Sequence, residues 1–380
     1  MHYHENSHDM TTSELSKQTA MMMVRRSLMS CLLLIAQQTH AFVPPLLQPH
    51  HSSALLCQLL GMNCAKPTDF SFSFQGFCER GGSTDIHNHG WGLAFYHGKG
   101  IRQFHDTEGA STSPIASFIA SLSIQTINMM AHIRYATQGQ VELANVHPFS
   151  REMWGINWCL AHNGDVPMFK TKGELPWIGS EKKGDQAYYP VGDTDSEALF
   201  CAILNALKDK FDTLPSLPVL HATLQDLMEE IVQYAPEETI LNCLITCGPH
   251  VLWVYSWPGS RPGSSVWNGL HYTVREYPFG KCRLQDLDYE IDFSKIAQQD
   301  DRVAVIATKP LTTDEEWIEL QKGELILFDE GMPHRSPAAC VNVELQGHGL
   351  TSPQLRKASL EEDVRRYRFK KSFFIEGSGI

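Results

Sequence analysis

From residue 57 onward, short apolar runs bounded by turn residues recur along the chain, a pattern typical of β-strands. The predicted strands are residues 59–63, 92–96, 127–134, 154–161, 241–246, 251–255 and 303–308. Predicted helices are fewer, at residues 113–122, 194–208 and 224–234. An excess of strands with a few long helices predicts an α+β fold in which stacked sheets are covered by helices.

The helix predicted at residues 194–208 has the clearest boundaries. Thr194 and Glu197 have the spacing of a capping box, in which each side chain bonds the backbone N–H of the other. Leu199, Ile203 and Leu207 then recur every four residues, which places them on one face.

Residues 1–56 differ from the rest and are predicted to be an N-terminal extension. The first 20 residues are polar and rich in histidine. Arg25 and Arg26 then precede an apolar run at 28–36 and the small residue Ala41, as in a secretory signal. The apolar run is too short to span a bilayer. Ala41 and the following Phe42 resemble the cleavage junction of bipartite plastid presequences.

Two localisations follow from this extension. Translation from Met21, Met22 or Met23 would place the signal-like segment at the start of the chain, and we then expect an organellar protein. If the upstream sequence instead reflects a wrongly assigned start codon, we expect a cytoplasmic protein. Residues 57–335 are predicted to form one domain, and residues 336–380 a C-terminal tail.

Composition and charge narrow the functional classes. Apolar residues make up 42% of the chain and charged residues 19%, a globular profile. The formal net charge of −12 argues against general nucleic-acid binding, because that function needs a basic surface. A small or neutral substrate fits this balance better, and stable membrane insertion is not expected.

Ten cysteines occur at irregular spacings without a CxxC pair, so a four-thiolate zinc site is not expected. Several of them, such as Cys159, lie within apolar runs and are predicted to be buried free thiols. We therefore expect the folded part of the chain to reside in a reducing compartment.

Two motifs that could carry chemistry lie at the ends of predicted strands. Cys57-Gln-Leu-Leu-Gly-Met-Asn63 opens the first strand, where an isolated cysteine is most simply a core residue. Arg134 follows another strand in Ala131-His-Ile-Arg-Tyr-Ala-Thr-Gln-Gly139. A guanidinium there can bind a carboxylate through two parallel hydrogen bonds, although a solvated arginine is the commoner outcome.

Two further motifs follow. His162-Asn163-Gly164 closes the strand predicted at 154–161, and Asn-Gly is most often a turn. An Asn amide beside a Gly N–H can, however, donate two hydrogen bonds to an oxyanion. Asp195, in Gly192-Asp-Thr-Asp195, lies in the first turn of the helix predicted at 194–208. A carboxylate there favours the helix dipole and could also receive an ammonium group.

Together, the four motifs supply what hydrolysis of an amino acid's side-chain amide needs: a nucleophile, oxyanion donors, a carboxylate clamp and an anion for the ammonium. Their order resembles that of class II glutamine amidotransferases over residues 57–328, and most closely the stand-alone branch without a synthase domain. Further similar segments are Glu79-Arg80-Gly81-Gly82, His89-Gly90-Trp91-Gly92, His147-Pro148-Phe149, and residues 288–293 and 307–311.

The resemblance implies that Cys57 is the nucleophile and that its own α-amino group is the general base. Arg134, with Thr137 beside it, would bind the α-carboxylate of glutamine, and Asp195 would hold the α-ammonium. No cofactor or metal is expected.

The resemblance also implies an oxyanion hole formed by Asn163 and Gly164. The fold that it implies is the four-layer αββα sandwich of N-terminal-nucleophile hydrolases, which agrees with the predicted excess of strands.

The chain departs from the family pattern at two positions. Gln138 stands where many members have histidine. Cys57 is internal, so its nitrogen is an amide rather than an amine, and the precursor is expected to be inactive. Cleavage between Leu56 and Cys57 would expose the amine. Alternatively, Leu56 could arise from a near-cognate start codon that is translated as an initiator Met, which is later removed.

Three alternatives remain open. The first is a γ-glutamyl amidase acting on a glutathione-like substrate, and the second is a pseudoenzyme that never exposes Cys57. The third is a metal enzyme, although spacing yields no set of three or four ligands among His87, His89, His132, His147 and His162. The expected ligand is glutamine or a γ-glutamyl amide. Ammonia would pass to solvent or to a separate acceptor protein.

Overall fold

The computed structural model describes residues 57–136, 139–170, 173–179, 185–260 and 268–335. The strands in these ranges are β1 (Gln58–Asp69), β2 (Trp91–His97), β3 (Gly100–Asp106), β4 (Gln125–Ile133), β5 (Phe149–Met153), β6 (Ile156–Asp165), β7 (Ile240–Cys247), β8 (Val251–Trp257), β9 (His271–Glu276), β10 (Lys281–Arg283), β11 (Glu290–Asp292), β12 (Arg302–Ala307), β13 (Ile318–Glu319), β14 (Glu324–Asp329) and β15 (Met332–Arg335). The helices are α1 (Ser71–Glu79), α2 (Pro114–Ala120), α3 (Asp195–Lys210) and α4 (Leu217–Tyr234). The predicted extension and tail lie outside the described residues.

Two antiparallel sheets contain most of these strands. The first has the order β13-β9-β12-β1-β4-β2-β3, and the second has the order β15-β14-β8-β7-β6-β5. Strands β10 and β11 pair separately. In the first sheet β1 pairs with β12, so strands from near the two ends of the described chain lie side by side.

Strand β1 shows how the sequence sets the layers. Leu60 and Met62 point into the core beneath the helices, whereas Leu59 lies in the core between the two sheets. This alternation follows from the two-residue repeat of a strand. Gly61 allows the sheets to approach closely, because a Cβ there would lie 3.1 Å from the side chain of Leu244 in β7.

Helices cover the outer faces of both sheets. Side chains of α1 and α2 pack on the first sheet, and side chains of α3 and α4 pack on the second. Leu199, Ile203 and Leu207 of α3 are fully buried, as their spacing predicts. The layers are thus helix, sheet, sheet and helix, and the predicted αββα sandwich is confirmed. No helix in the described ranges is long and apolar enough to cross a bilayer.

Every predicted strand and helix overlaps an observed element of the same type. The strand predicted from residue 154 is wrong at its start: Trp154 (φ 60°) and Gly155 (φ 77°) form a two-residue turn between β5 and β6. The expectation that Asn163-Gly164 is a turn is also wrong, because β6 continues through both residues and pairs with β7.

Helix boundaries were the weaker part of the sequence prediction. Helix α4 begins at Leu217, a full turn and more before the predicted residue 224, with a proline in its first turn. Helix α1 was not predicted, because Ser-Phe-Ser-Phe alternates like a strand. Its core contacts instead come from Phe74 and Phe77, which are three residues apart on one face.

Candidate active site

Cys57 directly precedes β1, and Arg134 and Tyr135 directly follow β4. These strands are antiparallel neighbours with Gln58 opposite Ile133, so the start of β1 adjoins the end of β4. The Tyr135 N–H donates to the Cys57 Sγ at 3.3 Å, and the thiol donates to the Tyr135 carbonyl at 3.5 Å. The half-buried thiol is therefore held beside the arginine motif.

Asn163 connects the second sheet to Cys57. It lies within β6 and is fully buried. Its side-chain amide nitrogen donates a hydrogen bond to the backbone carbonyl of Cys57. An amide nitrogen carries two N–H groups, so the second can serve another acceptor near the thiol. The predicted oxyanion donor and the predicted nucleophile are thus in direct contact.

Gly164 follows Asn163 at a position that only glycine fits. Its φ is +156°, and an added Cβ would collide with the backbone carbonyl of Ile240 in β7 and lie 2.9 Å from the His162 ring. The absence of a side chain therefore permits the pairing of β6 with β7 next to the site.

Replacing Gly164 with alanine is expected to lower the free energy of unfolding by about 1–3 kcal/mol, because the added methyl overlaps backbone atoms. Urea denaturation of the purified variant measures this change. Gly100→Ala in β3 is the matched control, since a Cβ there meets only the His97 carbonyl at 3.5 Å. Equal midpoints for the two variants would contradict the prediction.

Arg134 is buried, with 3% of its surface exposed. Its Nη1 donates to the Gln140 carbonyl at 2.9 Å, and its backbone N–H donates to the Gly90 carbonyl at 2.8 Å. Burial lowers the pKa of the Arg134 guanidinium from its ordinary value, while the negative charges of Cys57 and Asp193 raise it. Arg134 directly precedes Tyr135, whose backbone exchanges hydrogen bonds with the Cys57 thiol.

Asp195 begins α3, and Thr194 is its N-cap, accepting a bond from the Glu197 N–H at 3.3 Å. The other predicted bond of the capping box, from the Thr194 N–H to the Glu197 side chain, is wrong. The Glu197 carboxylate instead accepts from the N–H groups of Val191 and Gly192, at 3.0 and 2.7 Å. Together these three hydrogen bonds fix the loop that leads into α3.

Asp195 is also tied to the Asn163 motif. Its Oδ2 accepts a hydrogen bond at 2.8 Å from the N–H of Val166, which follows directly after the end of β6. The carboxylate is 5% exposed. The fourth motif is therefore anchored beside the third.

Sequence reasoning missed Asn145, which joins the second and fourth motifs. Its side-chain nitrogen donates to the Gln140 carbonyl at 3.1 Å and to the Asp193 Oδ1 at 2.6 Å. Its oxygen accepts from the Asp193 N–H at 3.0 Å. Asn145 thus fixes the loop that also binds Arg134 against the loop before Asp195. In sequence it carries no sign of this role, because the partners are up to 48 residues away.

Three buried histidines, His132, His147 and His162, lie next to one another. The rings of His132 and His147 stack with centroids 4.1 Å apart, and the backbone N–H of His162 donates to the His147 Nδ1 at 3.2 Å. Burial lowers the pKa of His132 and of His147 well below its ordinary value, and Arg134 and the neighbouring histidines lower it further. Both rings are therefore neutral at physiological pH.

Acidification from pH 7.5 to 5.5 is expected to lower the free energy of unfolding. The folded-state pKa of His132 and of His147 lies below the value of about 6.5 in an unfolded chain, so the unfolded state binds more protons as the pH falls. Each such histidine contributes up to about 1.4 kcal/mol per pH unit below about 6.5. Urea denaturation at several pH values measures the slope.

His221→Gln provides a separate check on this pH dependence. Burial lowers the pKa of His221, in α4, to about 4. The substitution removes one titrating group that is not part of the stacked pair His132 and His147, so the slope should decrease by one histidine's share. An unchanged slope would contradict the assignment.

Within the described residues, the histidines considered as metal ligands do not form a ligand set. The His89 Nδ1 accepts from the Ala136 N–H at 3.0 Å, and the His87 Nδ1 lies 3.2 Å from the Asp85 carboxylate. No group of three or more His, Cys, Asp or Glu side chains in the described ranges could hold a metal ion. Thr137, the remaining predicted substrate contact, lies outside the described residues, as does Gln138.

The buried-thiol prediction holds in the part of the chain that the structure describes. Seven of its cysteines are buried and free, and Cys57 is the eighth, partly exposed. Burial raises the pKa of Cys64 and of Cys243 to about 12, so these thiols are unreactive at neutral pH.

A four-layer sandwich with a cysteine at the start of a central strand defines the class of protein, and comparisons with known proteins agree. The family model for class II glutamine amidotransferases matches residues 56–349. The chain belongs to the class II glutamine amidotransferases.

Similar proteins share this assignment. A Haemophilus influenzae protein named "Putative glutamine amidotransferase" is 40% identical over 277 residues, covering 73% of this chain and 85% of its own. "Putative glutamine amidotransferase YafJ" of Escherichia coli K12 is 39% identical over 274 residues, covering 72% of this chain and 97% of its own. The crystal structure of a "predicted glutamine amidotransferase" from Pseudomonas aeruginosa has a TM-score of 0.52 and 34% identity, covering 73% of this chain and 99% of that one.

Proposed function

We propose that this protein hydrolyses the γ-amide of glutamine, or of a related γ-glutamyl amide, through a thioester on Cys57, and releases ammonia. The observation that carries the proposal is the contact between the Asn163 side-chain amide and Cys57, whose thiol is held beside the arginine motif. The grouping of a thiol, a side-chain amide donor and the arginine motif supports this proposal.

The reaction requires Cys57 to be the first residue of the mature chain. Its α-amine, with a reference pKa of about 7.7–8.0, takes the thiol proton. The thiolate attacks the side-chain carbonyl carbon of glutamine, and the oxyanion accepts from the Asn163 amide and the Gly164 N–H. The α-ammonium returns the proton to the leaving nitrogen, so that ammonia departs and a γ-glutamyl thioester remains. Water, deprotonated by the amine, then cleaves the thioester to glutamate.

Two oppositely charged residues would select the substrate. The Arg134 guanidinium would bind the α-carboxylate, and the Asp195 carboxylate the α-ammonium. Asn145 holds the loops that carry these two groups together. A free amino acid with both charges intact is therefore the expected substrate, and the length of its side chain decides whether the amide reaches Cys57.

The test is an assay of the chain that begins at Cys57, which measures ammonia and the carboxylic acid product. Glutamine is expected to be turned over, whereas asparagine, with a side chain one methylene shorter, is expected to be inert. Glutathione and other γ-glutamyl amides are included, because turnover of these alone would redefine the substrate. Absence of turnover with all γ-glutamyl compounds would overturn the proposal.

Mass spectrometry after acid quenching provides a second readout. Protein mixed with glutamine should gain the mass of one γ-glutamyl group on the peptide that contains Cys57. The same mixture with Cys57→Ala should show no such adduct. An adduct on any other residue would reject Cys57 as the nucleophile.

A further inference from the structure

The chain just after β4 presents alternate backbone groups to the two strands that flank β4. The Arg134 N–H donates to the Gly90 carbonyl at 2.8 Å, and the Arg134 carbonyl accepts from the His89 N–H at 3.2 Å. His89 and Gly90 directly precede β2. The Tyr135 N–H and carbonyl instead bond the Sγ of Cys57, which directly precedes β1. The strand order β1-β4-β2 thus continues past the end of β4.

His89 extends this pairing by one residue with its side chain. The Ala136 N–H lies two residues after that of Arg134, and it donates to the His89 Nδ1 at 3.0 Å. An imidazole nitrogen therefore acts in place of a backbone carbonyl. The His89 ring also contacts the Tyr135 ring, with centroids 4.9 Å apart. His89 thus holds the residues on both sides of Tyr135, one through its backbone and the other through its ring.

We infer that His89 is a positioning residue for the Cys57 thiol and acts through the backbone of Tyr135. This inference rests on the proposed function, in which Cys57 is the nucleophile. The bonds made by Arg134 and Ala136 toward β2 leave the Tyr135 N–H and carbonyl facing the sulfur. The N–H stabilises the thiolate and the carbonyl orients the thiol, so release of Ala136 would weaken both contacts.

Two substitutions separate the acceptor of His89 from its ring. His89→Asn keeps an acceptor atom bonded to Cγ, as the Nδ1 is, but lacks the ring. His89→Phe keeps a ring beside Tyr135 but has no acceptor for the Ala136 N–H. If the hydrogen bond positions the thiol, His89→Asn retains activity and His89→Phe loses it.

The first measurement is steady-state kinetics with glutamine on chains that begin at Cys57. In His89→Phe, kcat should fall about five- to tenfold, the effect of one lost hydrogen bond, because formation and hydrolysis of the thioester both involve this sulfur. KM should stay within about twofold, since the Arg134 guanidinium still bonds the Gln140 carbonyl. His89→Asn should keep kcat within about twofold of the unsubstituted value. A loss of kcat in His89→Asn as large as that in His89→Phe would overturn the inference.

Alkylation of Cys57 by iodoacetamide, followed by peptide mass spectrometry, tests the positioning without substrate. The thiolate is the species that reacts. Weaker donation from the Tyr135 N–H should therefore slow the modification of Cys57 about three- to tenfold in His89→Phe, but not in His89→Asn. An equal or faster rate in His89→Phe would overturn the inference. Absence of glutamine turnover in every chain would instead reject the proposed function, and the alkylation rates would still decide the role of His89.

His105→Phe is the matched control. The His105 Nε2, in β3, lies 3.1 Å from the Pro148 carbonyl, so the same substitution removes another bond between a histidine ring and the backbone. Urea midpoints compare the stability of the two phenylalanine variants. In His105→Phe, kcat and the alkylation rate of Cys57 should equal the unsubstituted values. Losses in His105→Phe as large as those in His89→Phe would show that lower stability alone explains the effect, and would overturn the inference.

Discussion

A chain that begins at Cys57 is expected to hydrolyse glutamine at least about 100-fold faster than the same chain with Leu56 still attached, since a positioned general base contributes about 100- to 10,000-fold. With Leu56 attached, the nitrogen of Cys57 is an amide, which has no lone pair suited to accept the thiol proton. The thiol exchanges hydrogen bonds with the backbone of Tyr135, and a peptide group cannot replace an amine as a base.

The measurement uses two proteins that differ only at the first residue, each released from a fusion by a protease that leaves the chosen N-terminus. Circular dichroism and the urea midpoint establish that both are folded. A third protein, beginning with serine in place of Cys57, keeps the amine and loses the thiol. If the Leu56-containing chain matches the rate of the Cys57-started chain, the mechanism with an α-amine base is wrong.

Sequencing the N-terminus of the native protein also tests whether Cys57 is the first residue of the mature chain. A mature protein that begins at Cys57 would be competent for the proposed chemistry. A native chain that retains Leu56 would favour the pseudoenzyme, and the two proteins above then show whether the fold could still act once the amine is exposed.

The layer structure could be predicted from sequence because it depends on local periodicity. The alternation of Leu59 and Leu60 assigns the two faces of β1, and the spacing of Leu199, Ile203 and Leu207 assigns the buried face of α3. The edge strands β3 and β13 were missed, since they contain few apolar residues and their pairing is set by neighbours rather than by their own sequence.

The candidate site could be predicted only in part, for a related reason. Cys57, Arg134, Asn163 and Asp195 each lie at or near the end of a strand or the start of a helix, where a motif is visible in sequence. The residues that fix them are different. Asn145 acts through partners in two loops, and no pattern within its own segment indicates which loops will meet.

The reading of Asn163-Gly164 shows how a local rule can fail at such a site. Asn-Gly favours a turn, yet here the strand continues and both residues pair with β7. Pairing is possible because glycine avoids the Ile240 carbonyl, and the strand then points the Asn163 side chain across to Cys57. A turn at this position would have released that side chain from the second sheet.

Asn163→Ala is expected to lower kcat for glutamine by about 100- to 1,000-fold with little change in KM, because an oxyanion donor acts on charge that develops only in the transition state. Steady-state kinetics on the Cys57-started chain measures both constants. The loss of the hydrogen bond to the Cys57 carbonyl also affects stability, so the effect on folding must be separated from the effect on chemistry.

Asn63→Ala supplies that separation. Asn63 is equally buried within β1, where its amide donates to the His250 carbonyl at 2.8 Å and accepts from the Gly331 N–H at 2.8 Å, and it makes no contact with Cys57. Asn163→Ala removes a hydrogen bond to one backbone group and Asn63→Ala removes bonds to two, and each lost bond costs about 1–3 kcal/mol in unfolding free energy. A loss of stability in Asn63→Ala at least as large as that in Asn163→Ala, with a fall in kcat confined to Asn163→Ala, would support the oxyanion role. Similar kcat values in the two variants would mean that Asn163 only holds Cys57 in place, and the oxyanion would then need another donor.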